Sequence, residues 1–239
     1  MNDHSFQIES DPCLNEVIQD KQTYPAVSKT AKAPRVQPPE IRREQLINAT
    51  MKSIARNGLS GTTMAEVTRE AGLSLGIANL HFKSKEKLLV ETLRYMTGEY
   101  HDGQREILEG ERFPSVADKI EALLQFDFST KVATRDKIAV WFAFWGEAKS
   151  RPTYQRICRE IDIRAEKTLG QLFQAAIDEE GYKDVDATTL ATGYTALSNG
   201  LWLNLLLGPQ QTKRGQARQV ARNYLATALP RHISAQEPA

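Results

Sequence analysis

From residue 40 onward, apolar residues recur at three- and four-residue steps, with almost no alternating strand-like segments. Such spacing puts the apolar side chains of each stretch on one helical face. Glycine and proline fall at the breaks between stretches, where they end helices. The chain is expected to be all-α. A first helix, residues 40–57, carries Ile41, Leu46, Ile47, Met51, Ile54 and Ala55 as its stripe and stops at Asn57-Gly58. Two short helices follow, residues 64–71 and 75–81, and then a long one from Ser84 to about residue 108. Five more are read at 116–129, 136–149, 152–180, 186–207 and 212–229, with breaks at Ala133-Thr134, Arg151-Pro152, Gly181 and Gly208-Pro209.

The two short helices meet at an abrupt turn. Thr63 and Glu66 have the spacing of a capping box, in which each side chain satisfies a backbone N–H at the helix start. Gly72 suits the left-handed residue after a helix end, and Ser74 can cap the next helix. Two helices joined by so short a glycine-containing turn form a helix-turn-helix, whose second helix can enter a DNA major groove.

The run G-x-T-T-x-x-x-V-x-x-x-A-G-L-S-x-G-x-x-x-x-x-H-F-x-S-K-E-x-L, from Gly61 to Leu88, resembles the DNA-binding signature of TetR-family repressors, and residues 41–57 resemble that family's first helix. The resemblance implies that double-stranded DNA is a partner. In the reading helix, Leu75, Gly76, Ile77, Ala78 and Asn79 offer small or apolar contacts; asparagine can pair with N6 and N7 of adenine together, and alanine or isoleucine can touch a thymine methyl. Thr62, Thr63, His81, Lys83 and Lys85 form the phosphate set, which positions the protein while base contacts specify. Lys85 also stands where free N–H groups at a helix start favour an anion, although an ordinary solvated lysine fits that position too. Leu80 and Phe82 are assigned to the core. Asn79 departs from the tyrosine frequent in the family, and Thr68 from the usual alanine.

Composition narrows the class. The formal net charge of +1 over 239 residues excludes a polybasic coat protein, so any positive face is local. Cys13 and Cys158 lie far apart, which disfavours a structural disulfide and fits a reducing cytoplasm. No apolar run is long enough to span a bilayer, and the polar, acidic N-terminus lacks a signal-peptide core. His4, His81, His101 and His232 are isolated, so no metal is expected. Without a phosphate loop, nucleophile elbow or carboxylate pair, neither a cofactor nor an enzyme is expected. Residues 1–39 read as a disordered arm ending in AKAPRVQPPE, in which Lys32 and Arg35 are candidates to follow DNA phosphates. Residues 231–239 read as a flexible tail.

Trp141, Phe142 and Trp145 fall within about one helical turn, near Ile138. W-F-A-F-W followed by R-P-x-Y, with N-G-L-W-L at Asn199–Leu203, is similar to the BetI-like branch of the family, whose members are choline-responsive repressors of glycine-betaine synthesis genes. The resemblance implies a small-molecule effector, choline or another quaternary ammonium. Such a cation has no N–H to donate, so it is held by aromatic faces, at about 0.5–2 kcal/mol per contact, and by an anion. The candidate cage is Phe126, Trp141, Trp145, Tyr154 and Trp202, with Asp127 or Glu147 supplying the charge. Aromatics at this spacing also serve as plain core. Asp127, between Phe126 and Phe128, must point outward or have a partner. Glu147 departs from the small polar residue usual in this branch.

Leu190, Tyr194, Leu197, Leu201 and Leu205, with Ala191, Gly193 and Ala196 allowing close approach, read as the surface of a homodimeric four-helix interface. The domain plan is thus a helix-turn-helix domain at 40–84 and a helical effector-binding and dimerisation domain at 85–230. The rivals are a repressor answering a different apolar or cationic effector, a helical enzyme or carrier whose helix-turn-helix is a mere hairpin, and a dimerisation adaptor.

Overall fold

The computed structural model describes residues 38–236, which form nine helices and no strand among the described residues. The arm assignment with Lys32, Arg35, His4 and Cys13 lies outside them. Helix α1 (Pro39–Gly61) starts with proline at its first turn, where a missing N–H costs nothing. It kinks at Gly58, whose φ of 71° and ψ of 176° are open to glycine, so the expected stop at Asn57-Gly58 becomes a bend followed by one more turn. Ile41, placed on the apolar stripe, is exposed.

Helices α2 (Met64–Ala71) and α3 (Leu75–His81) make the abrupt turn. Gly72 adopts φ 66°, ψ 28°, and the Leu73 N–H reaches back to the Thr68 carbonyl at 2.9 Å, which closes the α2 C-terminus. Half of the expected capping box forms: the Thr63 hydroxyl accepts from the Glu66 N–H, while the Glu66 carboxylate accepts from the Asn57 amide instead.

Helix α4 (Lys85–Glu109) is capped by Ser84. The remainder is α5 (Val116–Asp127), α6 (Arg135–Glu147), α7 (Pro152–Glu180), α8 (Ala187–Leu207) and α9 (Arg214–Ala228). Two apolar cores result. Leu46, Ile47, Val67, Ala78, Phe82 and Leu88 hold α1–α3 against the start of α4. A larger core runs through α4–α9 and takes in Ile54 and Leu59 from the far end of α1, where α1 packs on α6. Helix α1 therefore belongs to both cores.

Three expectations change here. Leu190, Tyr194, Leu201 and Leu205 are buried in the protomer's own core, so that stripe is not a free dimer face. Gly193 is small because the Tyr224 hydroxyl of α9 lies where a Cβ would stand. Residues 231–236 are tied down rather than loose: Ile233 is buried, the Arg231 N–H donates to the Tyr182 hydroxyl at 2.8 Å, and His232 sits 3.0 Å from Glu179.

Candidate effector cavity and DNA-facing surface

Helix α3 is held by a Ser74 cap, whose hydroxyl accepts from the Ile77 N–H at 3.3 Å, and by Ala78 and Phe82 turned into the core. Thr63, Leu75, Gly76, Asn79 and Lys83 are exposed, and His81 is half-buried. Lys85 donates to the Ser60 carbonyl at 3.2 Å, which tethers it beside the α1–α2 junction.

Three assignments are corrected. The Thr62 side chain is 1% exposed, donates to the Gly58 carbonyl and accepts from Ser53, so its hydroxyl is committed to the fold rather than to phosphate. Ala78 is buried and its methyl cannot touch a base. Leu80, assigned to the core, is 81% exposed. Residues 78 and 82 hold the inner face of α3, and residue 80 lies halfway between them on the opposite side.

A cavity opens among α4, α5, α6, α7 and α8. Trp141 and Trp145 of α6 have ring centroids 5.9 Å apart. Tyr100 of α4 meets Trp141 and Trp202 edge-on, at 6.4 and 6.2 Å. Ile161, Asp162, Ala165 and Leu169 of α7 and Tyr194, Thr195, Ser198 and Asn199 of α8 complete the wall.

Asp127 ends α5 inside this cavity, 2% exposed. Its carboxylate accepts from the Tyr100 and Tyr194 hydroxyls, each at 2.8 Å, and its backbone carbonyl accepts from the Trp202 indole at 2.9 Å. Burial pushes the carboxyl up to about 6, opposed by the two tyrosine hydrogen bonds. The same burial, with the neighbouring anion, raises both tyrosines well above their usual value. At neutral pH the anionic form predominates, yet among the described residues no lysine, arginine or histidine lines the cavity. A buried charge without a counter-charge is costly, and this one stands beneath aromatic faces.

Asp127, Trp141, Trp145 and Trp202 are thus brought together, while the other cage candidates are not. Phe126 stands behind Tyr100, its ring over Gly103 and under the Lys131 ammonium. Tyr154 is fully buried against Phe144, with ring centroids 5.1 Å apart, and its hydroxyl points to Glu86 at 3.4 Å. Glu147 pairs with Arg151, which also binds Glu86 at 2.9 Å. The R-P-x-Y segment therefore clamps the α6–α7 corner to the first turn of α4, beside Lys85. Sequence reasoning missed Tyr100, Asp162 and the polar face of α8. Thr195, Ser198, Asn199 and Trp202 do share the i, i+3, i+4, i+7 spacing of one helical face, which was a usable signal.

Among the described residues no helix is long and apolar enough to cross a membrane, and no group of three or more His, Cys, Asp or Glu could hold a metal ion.

Residues 46–92 match the family described as bacterial regulatory proteins of the tetR family, and residues 116–230 match the BetI-type transcriptional repressor C-terminal domain. The chain is 33% identical over 199 residues to the HTH-type transcriptional regulator BetI 2 of Chromohalobacter salexigens, covering 82% of this chain and 92% of that one. It is 27% identical over 197 residues to BetI of Escherichia coli K12, covering 82% and 98%. Among solved structures, a transcriptional regulator from Pseudomonas aeruginosa PAO1 superposes with a TM-score of 0.69 at 27% identity, over 81% of this chain and 92% of that one. A regulator from Saccharomonospora viridis, solved in complex with choline, gives 0.69 at 24% identity, over 78% and 96%, and so shares the fold. These relatives are named as transcriptional regulators rather than enzymes. The chain belongs to the TetR family of transcriptional repressors, in the branch that carries the BetI-type C-terminal domain.

Proposed function

We propose that this protein is a dimeric cytoplasmic repressor whose operator binding is controlled by a quaternary ammonium, with choline the first candidate, and that it governs genes of choline and glycine-betaine metabolism. The observation that carries this reading is Asp127, a buried anion with no cationic partner among the described residues, in a cavity walled by Tyr100, Trp141, Trp145 and Trp202. A cation without N–H groups suits that cavity, because aromatic faces attract it and a carboxylate neutralises it without needing a donor. The names of the relatives and the choline bound to the Saccharomonospora protein support the same assignment.

On the DNA side, exposed Asn79 reads bases, while Thr63, His81, Lys83 and Lys85 position the head on phosphates. Two heads must stand about 34–36 Å apart to read successive major grooves. The outward faces of α8 and α9, with Ala196, Gly200, exposed Leu207 and Val220, suit the partner contact. The effector shifts the spacing of the heads only through its different affinity for the two states. Two contacts join the cavity to the head: α4, through Tyr100, and α6, which packs on α1.

The deciding measurement is binding of the full chain to its own upstream DNA, with and without choline, at two salt concentrations. Salt-sensitive, specific binding weakened by choline, with the choline effect lost in Trp141→Ala, supports the reading. Specific binding that ignores choline in the wild type sinks the effector assignment and keeps the repressor.

A further inference from the structure

Among the described residues the five buried threonines, Thr50, Thr62, Thr68, Thr92 and Thr97, behave alike: each hydroxyl donates to a backbone carbonyl three or four residues earlier. This back-bond is the usual way a threonine in a helix satisfies itself. Thr195 of α8 does not make it. Its hydroxyl oxygen is buried and has no hydrogen-bond partner among the described residues, and the residue lines the aromatic cavity. A buried hydroxyl left unpaired is costly, so its release from the helix needs a reason.

Asp162 of α7 lines the same cavity and makes no ion pair or hydrogen bond among the described residues. With Trp145 and Asn199 it also borders a second hollow. Asp127 is already engaged by two tyrosines, whereas Thr195, Asp162 and Ser198, whose buried hydroxyl is likewise unpaired among the described residues, have unused hydrogen-bonding capacity. An anionic tail would meet Asp162 with like charge; a neutral hydroxyl can donate to it and also pair with Thr195.

We infer that Thr195 is a specificity-determining residue: it reads a hydroxyl carried on the tail of the cationic effector, with Asp162 favouring a neutral donor tail over an acidic one. This rests on the reading of the cavity as a cation site. The effector class is then an ammonium with a hydroxyl a few bonds from the nitrogen, recognised at two ends rather than by its charge alone.

The test uses two probes that share the charged head, tetramethylammonium and choline, titrated into the full-length protein and followed by tryptophan fluorescence. Wild type should bind choline about tenfold more tightly than tetramethylammonium, the worth of one hydrogen bond. Thr195→Val, nearly the same in shape, should erase that gap while leaving tetramethylammonium affinity unchanged; Thr195→Ser should retain the gap. A gap that survives in Thr195→Val, or an equal loss for both probes, overturns the assignment while leaving the cation site standing. Failure of both probes to bind the wild type removes the cation site and this inference together.

Discussion

The Tyr100 hydroxyl donates to Oδ1 of Asp127 at 2.8 Å, so the helix that begins at the DNA-binding head carries a direct hydrogen bond to the one buried acid of the cavity. Neighbours of Tyr100 fix it further: Phe126 supports its ring from behind, and Trp141 and Trp202 meet it edge-on. Any ligand that draws on Asp127 therefore also bears on α4.

This geometry makes affinity depend on pH with a defined sign. Asp127 sits near 6, raised chiefly by burial, so protonation below about pH 6 removes the anion of the proposed cation site. Cation affinity should fall by up to about tenfold per pH unit below that midpoint. Tyr100→Phe deletes a bond that holds the carboxyl down, so the midpoint should move upward. A titration midpoint unmoved in Tyr100→Phe would disprove the link. Stability runs the other way. Because the folded value is raised, burying the anion costs stability above about pH 6, and the cost is relieved as pH falls toward the ordinary carboxylate value. In the ligand-free protein, Asp127→Asn should therefore melt above wild type at pH 7.5, with the difference shrinking toward pH 5.

Lys85 and Thr62 were paired by sequence as phosphate contacts, and the structure separates them. Lys85→Ala should flatten the dependence of log affinity on log salt by about 1 and leave melting nearly unchanged. Thr62→Val removes a donor to Gly58 and an acceptor for Ser53 in a buried position, so it should cost about 1–3 kcal/mol of stability without changing the salt slope. Thermal melts and salt titrations of the two variants check both halves. The reverse pattern would restore Thr62 to the DNA surface.

How much of this was legible depends on whether the signal was local. Helix α7 starts and ends where Pro152 and Gly181 say it should, because a proline fits the first turn and a glycine at φ 66° closes the last. The caps at Thr63 and Ser74 likewise need only neighbouring residues. Periodicity marked Leu190, Tyr194, Leu201 and Leu205 as buried, but it cannot say by what, and their own protomer covers them rather than a second copy. The same limit explains the cage. Trp141 and Trp145 share a helix face and line the same cavity as Asp127, whereas Phe126 and Tyr154 are aromatic residues aimed elsewhere. The tyrosines that hold Asp127 come from α4 and α8, at sequence separations of 27 and 67, and no local pattern pairs them.

Leu80 carries the last expectation. At 81% exposure it contributes little to the core, and its side chain has no group to donate to a phosphate, so its place on the outward side of α3 suits an apolar contact with a thymine methyl. Leu80→Ala should leave the melting temperature within about 1 °C of wild type, since exposed substitutions change stability little. On an operator selected from random duplexes, replacing thymine by uracil one position at a time should weaken wild-type binding several-fold at one or two positions, and Leu80→Ala should be insensitive at those same positions. Asn79→Ala should shift preference at different base pairs, because it would bond base edges rather than touch a methyl. If Leu80→Ala keeps the full response to thymine methyls, the side chain faces solvent on DNA and base reading falls to Asn79 and Leu75.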